Sequence, residues 1–202
     1  MIGKIKKGRS FGGCIRYVTQ KDDAKIIVSE GVLLGTAEEM AQSFRWQCLL
    51  NPDVAKPVGH IALSFKPEDA PRLTDAFMTR LAGEYLELMG IRNTQFIVVR
   101  HHGTDNPHCH IVFNRVDFDG KVISDSNDFR RNERVTKMLK DKYSLTYSEG
   151  KQAVKTEKLH ASERVKYEIY RAVKEALRSA DTWKEFQNKL LKMGVEMEFK
   201  YK

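Results

Sequence analysis

Three histidines of this 202-residue chain have the spacing of a metal site. His108 and His110 are two residues apart in an apolar run, so both imidazoles would project from one face of a strand. A third imidazole comes from the run before it, where His101 shares the strand face of Val99, although the turn could bring His102 inward instead. Three neutral imidazoles with no fourth protein ligand describe an open site for a divalent cation.

Two strands and a short connection must bring these rings together. Residues 96–99 and 111–116 are β-rich apolar runs, and residues 102–107 between them contain the Thr-Asp-Asn-Pro sequence of a turn. A capping box at Thr36 predicts one helix, and apolar residues three and four apart predict another over residues 71–90. The sequence therefore predicts an α+β domain with a central antiparallel β-sheet and flanking helices. We expect the metal site near the centre of that sheet and the helices on its opposite face.

Other elements are less sharply defined. Residues 15–19 suit either a strand or a helix, and residues 122–123 predict a short strand. Polar residues 148–158 lack periodicity and predict a linker, so we divide the chain into residues 1–147 and a basic helical extension, residues 148–202. The extension would clamp DNA or begin a following region. An alternating pattern from Val195 still runs at Tyr201, which suggests that the natural chain continues.

The charge distribution favours a polyphosphate partner. Net charge is +8, and residues 1–21 contain six basic and no acidic side chains. Residues 22–120 contain nine basic and fourteen acidic side chains, whereas residues 121–202 contain twenty basic and thirteen acidic ones. Basic flanks around a mildly acidic centre suit nucleic acid, because each cation that contacts a phosphate releases a counterion. A solvated basic surface is the alternative interpretation.

Composition also excludes some classes of protein. A hydrophobic content of 41% is enough for a core, and no apolar run has the length of a membrane span or of a signal peptide's apolar region. The three cysteines have no paired spacing, so a reducing cytoplasm is expected.

These motifs resemble those of the mobilisation-type relaxases, which are HUH endonucleases. Residues 101–116 resemble the third relaxase motif in the pattern His101…Thr104-Asp105…Pro107-His108-Cys109-His110-Ile111-Val112-Phe113-Asn114-Arg115-Val116. Residues 11–18 resemble the first relaxase motif in the pattern Phe11-Gly12-Gly13…Arg16-Tyr17-Val18. The resemblance covers roughly residues 8–145. Such enzymes nick one strand of plasmid or integrative-element DNA at a transfer origin and so initiate conjugative mobilisation.

The resemblance implies a role for each motif. Tyr17 would attack the scissile phosphorus and form a 5′-phosphotyrosine, leaving a free 3′-hydroxyl. The three histidines would hold one divalent cation, Mn²⁺ or Mg²⁺, although other transition metals also suit imidazole ligands. The family often has Asp where Gly103 stands, so any role of that carboxylate would pass to Asp105 or be absent. We expect three residues to orient a ligand or the substrate, namely Asp105, Asn114 and His60.

The implied partner is transfer-origin DNA, single-stranded around the nick, together with accessory mobilisation proteins and coupling proteins. No membrane partner is expected, and the location would be the bacterial cytoplasm. The predicted DNA-binding cations are Lys6, Lys7, Arg9, Arg16, Arg115, Arg130 and Arg131.

Two other functions stay open. A replication-initiating HUH nuclease would use the same chemistry with a tyrosine after the His-x-His strand, where Tyr143 and Tyr147 lie. In a basic DNA-binding module without catalytic activity, the histidines would have a structural role or would bind zinc without taking part in a reaction.

Overall fold

Five antiparallel strands form one sheet in the order β1-β3-β5-β4-β2. The computed structural model describes residues 1–147 and 161–198. The strands are β1 (Ile2–Gly8), β2 (Ala24–Glu30), β3 (Val58–Ser64), β4 (Phe96–His101) and β5 (His108–Asn114). The helices are α1 (Phe11–Thr19), α2 (Ala37–Cys48), α3 (Asp75–Leu88), α4 (Asp128–Tyr143), α5 (Ala161–Ser179) and α6 (Trp183–Lys192), with a 3-10 helix at Pro67–Arg72. The predicted α+β fold with a central antiparallel sheet is confirmed.

The central strand β5 is apolar because it is covered on both faces. All of its residues except His108 are buried. In the neighbouring strand β3, Gly59 pairs with Phe113, and an added Cβ at this glycine would lie 2.1 Å from ring atoms of Phe113. The absence of a side chain at Gly59 therefore allows the Phe113 ring to pack directly on β3.

Helices cover both faces of the sheet, which corrects the expectation that they lie only opposite the metal site. On one face α1 and α2 bury a cluster with Ile97, Val99 and Val112, and each such side chain contributes about 2 kcal/mol. On the other face α3 and α4 pack over Ile61 and Ile111. Because side chains alternate along a strand, His110 shares the α1–α2 face with Val112.

The structure decides three local predictions, at residues 15–19, at residues 122–123 and near the end of the described chain. Residues 15–19 lie in helix α1, which Ser10 caps by accepting a hydrogen bond from the Gly13 N–H. The predicted strand at residues 122–123 is only an isolated bridge from Val116 to Val122. The alternating pattern near the end gives no strand over residues 195–198, and its last residues lie outside the described part.

The chain separates into two compact units, Met1–Ser148 and Glu149–Lys202. In the second unit α5 and α6 pack through a small cluster centred on Ala172, Ala176, Phe186 and Leu190. Thr182 caps α6 by accepting a hydrogen bond from the Glu185 N–H. Among the described helices of both units, none is long and apolar enough to span a bilayer.

Candidate metal centre and nucleophile

The β4–β5 hairpin brings three imidazoles together. His101 pairs directly with His108, and Val99 pairs with His110, so the strand register places all three rings on one face. One ligand nitrogen from each of His101, His108 and His110 lies within 4.8 Å of the others. His102 is exposed, with its Nε2 3.8 Å from a carboxylate oxygen of Asp75. His101, rather than His102, therefore completes the cluster.

The hydrogen bonds of two rings leave a pair of nitrogens that suits a cation. His101 Nε2 lies 2.8 Å from the Val18 carbonyl, and His108 Nδ1 lies 2.9 Å from the Asn106 carbonyl. A carbonyl only accepts, so those two nitrogens carry hydrogens, and in the neutral form of each ring the other nitrogen carries a lone pair. These remaining nitrogens, His101 Nδ1 and His108 Nε2, are 3.0 Å apart. Two lone pairs at that separation repel unless a positive charge lies beside both, so the pair fits a divalent cation.

The third ring is kept neutral mainly by burial, and it contacts His60 on the adjacent strand. His60 Nε2 lies 3.0 Å from His110 Nδ1, which leaves Nε2 of His110 for a cation. Burial, reinforced by the neighbouring histidines His60, His101 and His108, lowers the pKa of His110 to about 3. Burial also lowers the pKa of His60. Both rings are therefore neutral at physiological pH, the form in which imidazole binds a metal.

Tyr17 lies beside this cluster. Its ring centroid is 5.9 Å from that of His60 and 5.7 Å from that of His110. The side chain is 62% exposed, so a bulky substrate can approach its hydroxyl. An open groove of about 310 Å³ adjoins it, and its lining residues are Lys6, Lys7, Gly8, Ser10, Gly13, Cys14, Tyr17, Val58 and His60.

Helix α1 connects this tyrosine to the imidazole cluster. Val18 is the next residue after Tyr17, and its carbonyl accepts the hydrogen bond from His101. The buried side of α1 includes Ile15 and Val18, which pack on the sheet face that carries the histidines. The position of the phenol relative to the imidazoles is therefore fixed by packing and by one direct hydrogen bond.

Asp105, one of the residues expected to orient the site, is exposed on the connection between β4 and β5. A different carboxylate, Asp23, contacts this connection by accepting a hydrogen bond from the Gly103 N–H at 2.6 Å. Sequence spacing gave no sign of Asp23 or of the Val18 carbonyl, because both lie about eighty residues before their partners.

Asn114 lies four residues beyond His110, at the other end of β5. Its amide donates to the Phe44 carbonyl at 3.0 Å, and its Oδ1 accepts from the Val116 N–H at 3.0 Å. These contacts tie β5 to helix α2. The predicted role of Asn114 near the substrate stays a prediction, and its described contacts support a structural role.

Replacing Asn114 with alanine should therefore lower the free energy of unfolding of the first unit by about 3 kcal/mol. The change leaves buried polar partners without hydrogen bonds, while the metal cluster keeps its contacts. Urea unfolding followed by circular dichroism measures the loss. The matched control Asn51→Ala removes one hydrogen bond to the Gly120 carbonyl and should cost about 1 kcal/mol. Unchanged stability with weakened Mn²⁺ binding would place Asn114 at the metal site instead.

The predicted DNA-binding cations fall into two groups. Lys6, Arg9 and Arg130 are exposed. The other four already have partners within the protein. Lys7 pairs with Asp125 and Asp128, Arg115 bonds to Asp125 and to the Lys56 carbonyl, Arg16 lies 3.9 Å from Glu38, and Arg131 donates to the Ser124 carbonyl. DNA binding by each of the seven stays a prediction. Exposure favours the first group together with Arg16, whose side chain is 51% exposed despite its contact with Glu38.

Comparison with known proteins agrees with this arrangement. The family described as "Relaxase: MobA/VirD2-like, nuclease domain" matches residues 17–145, which is more than half of the chain. The match begins at Tyr17 and includes the β4–β5 hairpin with its three histidines. The protein belongs to the MobA/VirD2-like relaxases, and its first unit contains their nuclease domain. A comparison with curated proteins finds no match.

Proposed function

We propose that this protein is a relaxase that makes a strand-specific nick at a transfer origin and initiates conjugative mobilisation. Tyr17 is the nucleophile, and His101, His108 and His110 hold one divalent cation. The proposal depends above all on one observation, which is that the Tyr17 ring lies against His110 of the three-imidazole cluster. The family match supports DNA nicking as the general activity.

The positions of the other candidate tyrosines favour Tyr17. The Tyr143 hydroxyl donates to Glu84, and the Tyr147 hydroxyl donates to Asp141. The hydrogen bond to the Asp141 carboxylate raises the pKa of Tyr147, which makes its phenolate harder to form. A replication-initiator arrangement that uses either of these tyrosines therefore has less support than nicking by Tyr17.

The proposed step is a transesterification. The Tyr17 oxygen bonds to the scissile phosphorus, and the bond from that phosphorus to the 3′-oxygen breaks. The phenol proton passes to solvent, which reaches the exposed side chain, and the departing 3′-oxygen takes up a proton. The products are a 5′-phosphotyrosine and a 3′-hydroxyl. Because one phosphodiester replaces another, reversal rejoins the strand without a nucleotide cofactor.

The protein's own groups prepare this step. His101 Nδ1, His108 Nε2 and His110 Nε2 are the nitrogens available to a cation. A bound Mn²⁺ or Mg²⁺ supplies Lewis-acid stabilisation of charge on a nonbridging phosphate oxygen. When His110 binds the cation through Nε2, its hydrogen lies on Nδ1 and is donated to His60 Nε2, 3.0 Å away, which orients the His110 ring.

Lys6 is the exposed cation best placed to hold the DNA backbone near Tyr17. It pairs with His60 across β1 and β3, lines the groove beside Tyr17, and its charge adds to burial in lowering the pKa of His60. An exposed ammonium at this position suits a phosphate of a single strand. Accessory mobilisation proteins and coupling proteins are the further partners that we propose.

The extension is proposed to contribute to DNA binding as a clamp. Arg171, Lys174 and Arg178 line a groove on α5, together with Tyr170. Two carboxylates, Glu168 and Glu175, line the same groove, so its charge is mixed.

The function is tested with the full chain, Mn²⁺ and a supercoiled plasmid that carries the transfer origin. We expect an open-circular product whose 3′ end a DNA polymerase extends and whose 5′ end remains attached to protein after denaturation. The same plasmid without the origin is the control. Binding without a nick would identify a DNA-binding module, and an adduct on Tyr143 or Tyr147 would identify the initiator arrangement.

Replacing His60 with alanine should weaken Mn²⁺ binding about 10-fold, because His110 loses the acceptor that orients its ring. The nick should slow at subsaturating Mn²⁺ and recover substantially at high Mn²⁺. Calorimetric titration with Mn²⁺ measures the affinity. His102→Ala is the matched control, since it removes an exposed imidazole that faces Asp75. Equal affinities of the His60 and His102 variants would exclude His60 from this orienting role.

A further inference from the structure

Asp23 forms two hydrogen bonds to the connection between β4 and β5, residues 102–107, which joins His101 to His108. Its carboxylate accepts a hydrogen bond from the Gly103 N–H at 2.6 Å, and its backbone carbonyl accepts one from the His102 N–H at 3.2 Å. Ala24, the next residue, pairs with His101 across β2 and β4. One short segment after α1 therefore fixes the chain on the C-terminal side of the ligand His101.

The carboxylate occupies the space that a side chain at position 103 would use. A Cβ added to Gly103 would lie 2.8 Å from Asp23 Oδ2, closer than such atoms normally approach. A side chain at position 103 would therefore force the carboxylate away from its present place beside the Gly103 N–H. The Gly103 N–H is also the main cause of the lowered pKa of Asp23, so this carboxylate is ionised and accepts strongly.

The same connection also forms hydrogen bonds to the proposed ligand His108. The Asn106 carbonyl and the Thr104 hydroxyl lie 2.9 Å and 3.2 Å from His108 Nδ1. At its far end the connection is held by the Phe65 N–H, which donates to the Pro107 carbonyl at 2.8 Å. Asp23 therefore anchors the near end of a connection whose middle orients His108.

We propose that Asp23 is a positioning residue for the metal centre, acting through its hydrogen bond to Gly103 to set the spacing between His101 and His108. Asp23 takes this role from outside the histidine motif, in the segment that directly follows the helix of Tyr17. The inference rests on the proposed metal site and adds a residue that orients its ligands.

The test uses calorimetric titration of the full chain with Mn²⁺, so the readout is metal affinity and not nicking. Asp23→Ala should weaken Mn²⁺ binding about 10-fold, in the range found when groups that orient metal ligands are removed. Asp23→Asn keeps an oxygen that can accept from Gly103 and should stay within about 3-fold of the unmodified chain. Asp22→Ala removes a neighbouring exposed carboxylate and is the matched control.

Gly103→Ala tests the same contact from the other side. Its Cβ displaces the carboxylate, so the variant should match Asp23→Ala, and the double variant should be no weaker than either single one. Thermal unfolding checks that each variant remains folded, and Gly103→Ala supplies the test if Asp23→Ala does not fold.

The outcomes separate this inference from the proposed function. If the unmodified chain binds no Mn²⁺, or binds it equally well after His108→Ala, the metal site itself is rejected. If that site is present but Asp23→Ala binds Mn²⁺ normally, only the positioning role is rejected. Equal loss in the asparagine and alanine variants would also reject it, because charge rather than the hydrogen bond would then govern affinity.

Discussion

Replacing Tyr17 with phenylalanine should slow nicking of the origin plasmid by about 10³-fold or more and eliminate the covalent protein–DNA product. Phenylalanine keeps the ring that lies against His60 and His110 but lacks the oxygen that attacks phosphorus. Mn²⁺ affinity and the stability of the first unit should change little, because the described metal-site hydrogen bonds do not use this hydroxyl. Denaturing gel electrophoresis of end-labelled DNA measures both the nick and the adduct.

Tyr143→Phe and Tyr147→Phe are the controls, since each removes a hydroxyl that is bonded to a carboxylate elsewhere in the first unit. Both should nick at close to the normal rate. A Tyr17→Phe protein that still forms an adduct would show that another residue is the nucleophile, although the metal site could survive that result.

The cluster of three imidazoles could be predicted from sequence because its geometry is local. Side-chain alternation places His108 and His110 on one face, and a short connection forces β4 and β5 into an antiparallel hairpin. The register then sets His101 opposite His108. The choice between His101 and His102 could be made only by parity, which left it open until the strand end was located.

The surroundings of the cluster could not be predicted in the same way. The His60–His110 contact depends on β3 pairing with β5, and the Val18–His101 contact depends on where α1 packs. Both are contacts between segments far apart in sequence, with no repeat or spacing that links them. The placement of α1 on the metal-site face has the same origin, and it explains why we expected the helices only on the opposite face.

Counting cations also overstated the surface available to DNA. Lys7 and Arg115 both lie near Asp125, whose pKa is lowered chiefly by the hydrogen bond from Lys7. Arg115 is 9% exposed. A sequence shows the sign of the charge on each side chain but not which opposite charge it contacts, so it does not reveal the ion pairs formed on folding. Lys6 is therefore a better candidate for phosphate contact than its neighbour Lys7.

Replacing His108 with alanine should weaken Mn²⁺ binding by about 100-fold or more and reduce nicking to about 1% or less at ordinary Mn²⁺ concentrations. One of three imidazole ligands is lost, and the remaining pair lacks the nitrogen that lies 3.0 Å from His101 Nδ1. Because His108 is only half-buried at the end of β5, the fold should tolerate the change. Calorimetric titration and the plasmid assay measure the two effects independently.

The two substitutions at the site should differ in a way that separates metal from nucleophile. His108→Ala should lose Mn²⁺ binding while keeping Tyr17 in place, whereas Tyr17→Phe should bind Mn²⁺ normally and form no adduct. Combining them should cost little more nicking than Tyr17→Phe alone, because groups that act together in one step are not additive. DNA affinity without metal should stay within a few-fold in both, since exposed cations such as Lys6 supply it. Normal Mn²⁺ affinity and full nicking in the alanine variant would show that the imidazole cluster has a purely structural role.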